Sequence, residues 1–162
     1  SKLIESYESE SGTVIRSRIV EAIGKIGGNQ SIEILVTCLQ NERDENVLSV
    51  CIEQLGKFRL IHLAETFMTL LKHSNQSIVN AAIVSLLNLE YLPALDEYRK
   101  LARDPRPFVH VSAISCLRIL GLKLNINIRN DLEVLLEDDR DSIRNTAKQM
   151  LSLYEKELNE RG

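Results

Sequence analysis

The sequence contains no tryptophan, and Phe, Trp and Tyr together supply only 4% of its 162 residues. Few aromatic side chains are therefore at hand to hold a nucleic-acid base. Neither charge sign dominates: 20 Lys and Arg stand against 23 Asp and Glu, a net charge of −3, which argues against a whole-domain footprint for nucleic acid. Cysteines number three, an odd count without paired spacing, so no disulfide framework is expected. Long apolar runs are missing too. The richest stretch, Asn80 to Leu95, is cut by Ser85, Asn88, Glu90 and Pro93, too short and interrupted to span a bilayer. No signal peptide is visible, so the expected location is cytoplasmic. What is present is ordinary: 18.4 kDa, 44% apolar and 27% charged, enough to bury one domain's core.

The information lies in an internal repeat. Ile15, Val47, Ile78, Val109 and Ile143 begin five superimposable segments, 32, 31, 31 and 34 positions apart. Four positions on stand Ile19, Cys51, Ala82, Ala113 and Ala147; eight on, Ile23, Leu55, Leu86, Leu117 and Leu151; eleven on, Ile26, Phe58, Leu89, Leu120 and Tyr154. These offsets define one helical face. A second stripe precedes each segment. It holds Ile4, Val36, Phe67, Tyr98 and Leu132 eleven positions before, Tyr7, Leu39, Leu70, Leu101 and Leu135 eight before, and Ile32, Leu63, Ala94 and Ile128 fifteen before. Each repeat is thus a helix pair, A then B.

Breaks fall between the stripes. Gly27-Gly28 and Gly121 follow A helices, where positive φ is favoured, and Asp44 and Asn75 sit where N-caps belong. Pro93 and Pro107 suit first turns. The pattern predicts helices over 2–8, 13–26, 31–40, 46–57, 60–72, 76–89, 93–102, 107–120, 126–137 and 142–158, and no strand.

A two-helix unit of about 31 residues with a cap, a branched residue, often Arg, and then Leu-Gly resembles the HEAT repeat family, most closely the short repeats named after phycobilisome lyases. Ile15-Arg16 with Ala22-Ile23-Gly24-Lys25-Ile26, and Asp44 with Leu55-Gly56-Lys57-Phe58, carry the likeness. The family Arg, part of a polar ladder between repeats, recurs as Arg16 and Arg144 but is replaced by Leu48, Val79 and His110 between them. The resemblance implies an all-α fold, a right-handed α-solenoid of about five two-helix repeats, with A helices convex and B helices concave. On this reading residues 1–162 form a single domain: a half repeat at 1–10, repeats starting near 12, 44, 75 and 106, and a terminal capping helix at 141–158. Val20, Ile52, Ile83 and Ile114 mark continuous stacking, and Lys148 in the same column marks the polar cap. Leu3, Ile4 and Tyr7 match the end of a B helix lacking its A partner, so a fragment of a longer protein is expected.

The search for chemistry is negative. His62, His73 and His110 lie in different repeats and form no ligand pair. Cys51 falls in the core column and Cys116 at a packing edge, whereas Cys38 shares its column with Thr69 and Lys100 and is expected to be exposed, without a basic neighbour on its own helix to activate it. Glu137-Asp138-Asp139-Arg140-Asp141 lacks the ligand alternation of a calcium loop and suits capping of the last helix. Gly27-Gly28 has neither the strand nor the Lys-Ser/Thr of a phosphate loop. No catalytic, cofactor or metal residue is assigned, and the chain is expected not to be an enzyme. Among other roles the resemblance brings, a phycobilin-lyase-like subunit or other segment of a larger enzyme ranks second, and a DNA-binding or alkylbase-glycosylase-like protein lower still.

Removing core columns leaves the outward faces of the B helices. Ile34, Thr37, Cys38 and Asn41 form a neutral, partly apolar group, Glu65, Met68, Thr69 and Lys72 the next, and Asp96, Arg99, Lys100 and Arg103 a basic ridge, before acidic Asn130, Glu133, Val134 and Glu137. An apolar patch at Ile34 and Met68 beside a basic rim is what a protein or peptide site requires. The expectation is a protein-interaction or scaffolding module using Ile34, Thr37, Cys38, Asn41, Glu65, Met68, Thr69, Lys72, Arg99, Lys100 and Arg103, with a protein or peptide as partner rather than nucleic acid or membrane.

Overall fold

A computed structural model describes residues 2–10 and 12–161, the side chains of residues 2–4 and 8 excepted, so the expected core positions Leu3 and Ile4 lie outside the described side chains. Among the described residues it holds ten α-helices and no strand: α1 (Lys2–Ser9), α2 (Thr13–Ile26), α3 (Gly28–Asn41), α4 (Glu45–Gly56), α5 (Ala64–Leu70), α6 (Gln76–Asn88), α7 (Ala94–Leu101), α8 (Pro107–Lys123), α9 (Arg129–Glu133) and α10 (Asp141–Arg161). Short 3₁₀ turns precede α5 at Ile61–Leu63 and follow α9 at Val134–Glu137. The chain divides into two compact units, Ser1–Leu89 and Glu90–Gly162.

In the amino-terminal unit, α4 packs between α2 and α6, α1 lies on α2, α3 on α2 and α4, and α5 on α6. In the carboxy-terminal unit, α8 packs against α7 and α10, and α9 with its 3₁₀ turn against α10. The A-helix columns supply the cores: Val47, Cys51 and Leu55, Ile78, Ala82 and Leu86, Val109, Ala113 and Leu117, and Ile143 and Ala147 are buried. Val20, Ile52, Ile83 and Ile114 are also buried, while Lys148 is exposed. The first row fails, because Ile15 and Ile26 are exposed. Among the A helices, α2 has only α4 beside it in its unit.

Turn chemistry repeats where residue identity does not. Five positions before each column-leading residue, a side chain accepts the backbone N–H two residues on. Glu10 takes Gly12 N at 2.7 Å, Glu42 takes Asp44 N at 2.9 Å, and His73 takes Asn75 N through Nδ1 at 3.0 Å. Asp104 takes Arg106 N at 2.9 Å and Asp138 takes Arg140 N at 3.1 Å. Such side-chain turns fix the chain's entry into the following helix. At the position of the family Arg, Arg16 Nη1 donates to the Glu10 carbonyl at 3.5 Å, His110 Nδ1 lies 3.1 Å from the Asp104 carbonyl, and Arg144 Nη1 donates to the Asp138 carbonyl at 2.6 Å. His110 thus keeps the local anchor without an arginine. Asp44 and Asn75 cap α4 and α6 as expected, each accepting two backbone N–H groups. Within the acidic run at 137–141, Asp138 holds Arg140, whose guanidinium also donates to the Arg103 and Asp104 carbonyls.

Gly27 and Gly28 have φ of 72° and 82°, as expected. Gly121 does not end its helix: α8 runs on through Lys123, and a Cβ at Gly121 would stand 2.6 Å from Ile128 Cγ2. The left-handed positions are instead Arg59 (53°), Glu90 (53°) and Asn125 (55°). Gly27, Arg59 and Glu90 occupy the same step of three repeats. For the two long side chains this geometry costs about 1–2 kcal/mol each.

The largest departure concerns α3. Its buried stripe is Ser31, Leu35 and Cys38, not Ile32, Val36 and Leu39, which are half-buried. The cause is the 32-residue spacing between Ile15 and Val47. One extra residue between Cys38 and Val47 shifts the helix register: it sets Ser31 and Leu35 where the buried Leu63 and Phe67 stand one repeat later, while Cys38 falls with Leu70, which is half-buried.

Candidate functional site

On the amino-terminal unit a groove of about 650 Å³ lies between α1, α3 and the turns that follow them. Four expected residues, Ile34, Thr37, Cys38 and Asn41, lie along it on α3. Its remaining lining, Tyr7, Glu10, Arg16, Glu33, Glu42 and Arg43, was not anticipated as a site. Thr37 and Asn41 are exposed and Ile34 is half-buried. Cys38 is 3% exposed, contrary to expectation, because the register shift turns it onto the α2–α4 layer.

A compact network forms one wall. The Tyr7 hydroxyl donates to Glu42 Oε2 at 2.6 Å and its oxygen stands 3.5 Å from Cys38 Sγ. Glu42 Oε1 accepts from Arg16 Nη2 at 3.3 Å and from the Arg43 and Asp44 amides at 2.9 Å each. Burial opposes the Glu42 charge, but Tyr7, the Asp44 and Arg43 amides and Arg16 outweigh it and hold the carboxyl below its ordinary value. Burial, then the neighbouring Cys38 and Glu42, push the Tyr7 hydroxyl up. Behind Cys38, Cys51 Sγ lies 3.3 Å from the Leu35 carbonyl. The nearby Cys51 thiol holds Cys38 below its ordinary value more than burial opposes it, and Cys38 together with burial pushes Cys51 up.

This wall implies a pH dependence. The folded Glu42 carboxyl is the stronger acid, so the unfolded chain takes up its proton first as pH falls. The stabilisation is complete above the ordinary value of 4.5 and is lost as pH drops through the lower folded value. Glu42→Gln should therefore lower the urea midpoint at about pH 7, and its deficit against the wild type should shrink toward about pH 3. A deficit constant with pH would show that the carboxylate's charge is not what matters.

The other expected residues do not join the groove. Glu65, Met68, Thr69 and Lys72 lie on or just after α5, with Met68 half-buried rather than presented beside Ile34 as an exposed patch, and Thr69 Oγ1 donating to the Glu65 carbonyl at 3.0 Å. The basic ridge belongs to the carboxy-terminal unit and is neutralised there. Arg99 binds both oxygens of Asp131 at 3.0 and 2.9 Å and Asp96 at 2.7 Å, Lys100 pairs with Glu97 at 2.6 Å, and Arg103 lies 3.7 Å from Asp138. Arg99 and Arg103 line a small cleft of about 110 Å³ with Asn130, Asp131 and Val134.

Comparison with known proteins supports the fold and nothing finer. No family model and no curated protein matches the sequence. A crystal structure of an engineered protein, a structural-genomics target, matches over 95% of this chain and 78% of its own, with a TM-score of 0.60 and 13% identity. The likeness is one of fold.

Cys116, expected at a packing edge, is buried, and burial pushes its thiol up to about 12. Among the described residues no group of three or more His, Cys, Asp or Glu could hold a metal ion, and no helix is long and apolar enough to cross a membrane.

Proposed function

We propose that the repeats stack as a right-handed α-solenoid of HEAT-like units and that the chain is a protein-interaction or scaffolding module, recognising a protein or peptide segment by a preformed surface, without bond chemistry. The observation that carries this reading is the α3 groove. Its floor offers Ile34 and the edge of Tyr7 for burial, its α3 rim offers the exposed Thr37 and Asn41 for hydrogen bonding, and Glu33 and Arg43 supply charge of both signs. Apolar burial gives affinity and a charged rim gives orientation. Recurrent turn chemistry in all five repeats supports the repeat architecture, since each helix pair enters its neighbour through the same kind of bond.

The test uses the groove and leaves Arg99 alone, because Arg99→Glu would set a third carboxylate beside Asp96 and Asp131. Wild type and the Ile34→Glu/Thr37→Arg variant are used as baits in lysate of the source cells, and a protein retained selectively by the wild type is purified and titrated into both. The expected result is a stoichiometric complex with the wild type and at least about tenfold weaker binding to the variant, with unchanged far-ultraviolet circular dichroism. Equal recovery by both baits would remove the groove from consideration.

A further inference from the structure

One face of α2 repeats a packing surface that α4 and α6 have filled. Where α2 meets α4, Gly24 lies against Gln54, and where α4 meets α6, Gly56 lies against Ser85. Gln54 and Ser85 stand seven positions after Val47 and Ile78, and all four residues are buried. Each of these helices thus receives the A helix before it on a closed face. The matching positions of α2 are Ile15 and Ala22, with Ile19 and Ile26 completing the stripe. Offsets of four, seven and eleven keep these residues on one side of the helix over about three turns. Here the face is open. Ile15 is 51% and Ile26 68% exposed, while Ile19 and the short Ala22 between them are half-buried.

The two edges of the stripe differ in charge. Arg18 and Lys25 are exposed along one edge, seven positions and therefore about 10 Å apart. Among the described residues neither has a hydrogen-bond or ion-pair partner. Along the other edge lie the buried Ile23 and Arg16, whose guanidinium is held by Glu42 and the Glu10 carbonyl. The face is therefore apolar along its middle and cationic on one side only.

We propose that this face of α2 docks an amphipathic helix of another protein, one that carries carboxylates along a single edge of its apolar stripe. The shape follows from α4 and α6, whose equivalent faces are each closed by a helix. The charge follows from Arg18 and Lys25, which two carboxylates one heptad apart would neutralise. A second copy of the chain fits less well. Antiparallel pairing of two α2 helices would bring Arg18 of each close to Lys25 of the other, and like charges there repel. A lipid surface also fits less well, because adsorption to anionic lipid takes about four or more clustered cations. This face holds two, on a chain of net charge −3. None of Ile15, Ile19, Ala22 and Ile26 lines the α3 groove, so the inference stands apart from recognition there.

The test uses two synthetic stapled helices of about four turns that share one leucine stripe. One carries Glu along a single edge and the other carries Lys at the same positions. Each is labelled and titrated with the purified chain by fluorescence anisotropy. The Glu helix should bind at least about tenfold more tightly than the Lys helix. Arg18→Glu/Lys25→Glu should reverse that preference, and Ile15→Ser/Ile26→Ser should abolish binding of both. Should the double serine variant lose helicity by circular dichroism, Ile26→Ser alone replaces it, with weakened binding expected. Ile34→Glu/Thr37→Arg, which alters only the α3 groove, should bind the Glu helix as the wild type does. Failure to bind either helix, equal affinity for both, or a preference that survives charge reversal would overturn the proposal. So would self-association of the wild type in sedimentation, or retention on phosphatidylserine vesicles, if Arg18→Glu/Lys25→Glu or Ile15→Ser/Ile26→Ser removed it.

Discussion

Cys51→Asp should unfold the amino-terminal unit. The side chain is 0% exposed, and its sulfur lies 3.3 Å from the Leu35 carbonyl oxygen. A carboxylate there meets a carbonyl dipole pointing its negative end inward and the nearby Cys38 thiol, itself lowered toward the anion. Neither neighbour compensates a negative charge. An uncompensated buried charge costs about 3–5 kcal/mol, which takes most of the stability of a small unit. In urea titrations followed by circular dichroism, the variant should have lost helicity before denaturant is added, or should unfold at a far lower midpoint than Cys51→Ser. A midpoint equal to the wild type would mean that the A-helix column does not face the core.

Gly56→Ala should cost about 2 kcal/mol, although alanine is the better helix former by about 1 kcal/mol. Gly56 ends α4 where α6 crosses it, and an added Cβ would lie 2.2 Å from Ser85 Oγ, 2.8 Å from Ser85 Cβ and 2.9 Å from Ser85 Cα. A hydroxyl could rotate aside, at the expense of its 3.2 Å bond to the Ile52 carbonyl, but the Cα is backbone and moves only with α6. Ser85→Gly removes two of the three contacts, so Gly56→Ala should cost less in that background than alone. Chemical denaturation of the four members of the cycle measures the coupling. A neutral or stabilising Gly56→Ala in the wild type would show that the helices do not approach this closely. The same reasoning explains the Ile23-Gly24 and Leu55-Gly56 pairs noticed in the sequence, since a Cβ at Gly24 would meet Gln54 within 2.4 Å.

The helical periodicity made the elements and most of the A-helix core legible, because offsets of four and eight residues survive any exchange among Val, Ile, Leu and Ala. The all-helical composition and the Asp44 and Asn75 caps followed from the same reading. The turn acceptors did not. Glu10, Glu42, His73, Asp104 and Asp138 share only a side-chain atom able to accept an N–H, which no hydropathy column reveals. Arg59 and Glu90 were missed for a related reason: glycine advertises a left-handed position, and these residues do not. Ile34, Thr37, Cys38 and Asn41 line one groove because they share a helix face, but the Tyr7–Glu42–Arg16 network joins residues 35 and 26 positions apart and leaves no local trace. Of the acidic partners of the basic ridge, Asp96 and Glu97 stand three residues away on the same helix, whereas Asp131 and Asp138 sit one repeat away and leave no local trace.

The one extra residue between Cys38 and Val47 has a consequence for how such a chain can change. A substitution on α3 alters one side chain and leaves its neighbours where they were. A single-codon insertion or deletion in the segment after α3 instead turns the helix by about 100°, like a gear slipped by one tooth, bringing the neighbouring stripe inward while every helix keeps its own sequence. Segment length, more than residue identity, is the variable to follow when such chains diverge.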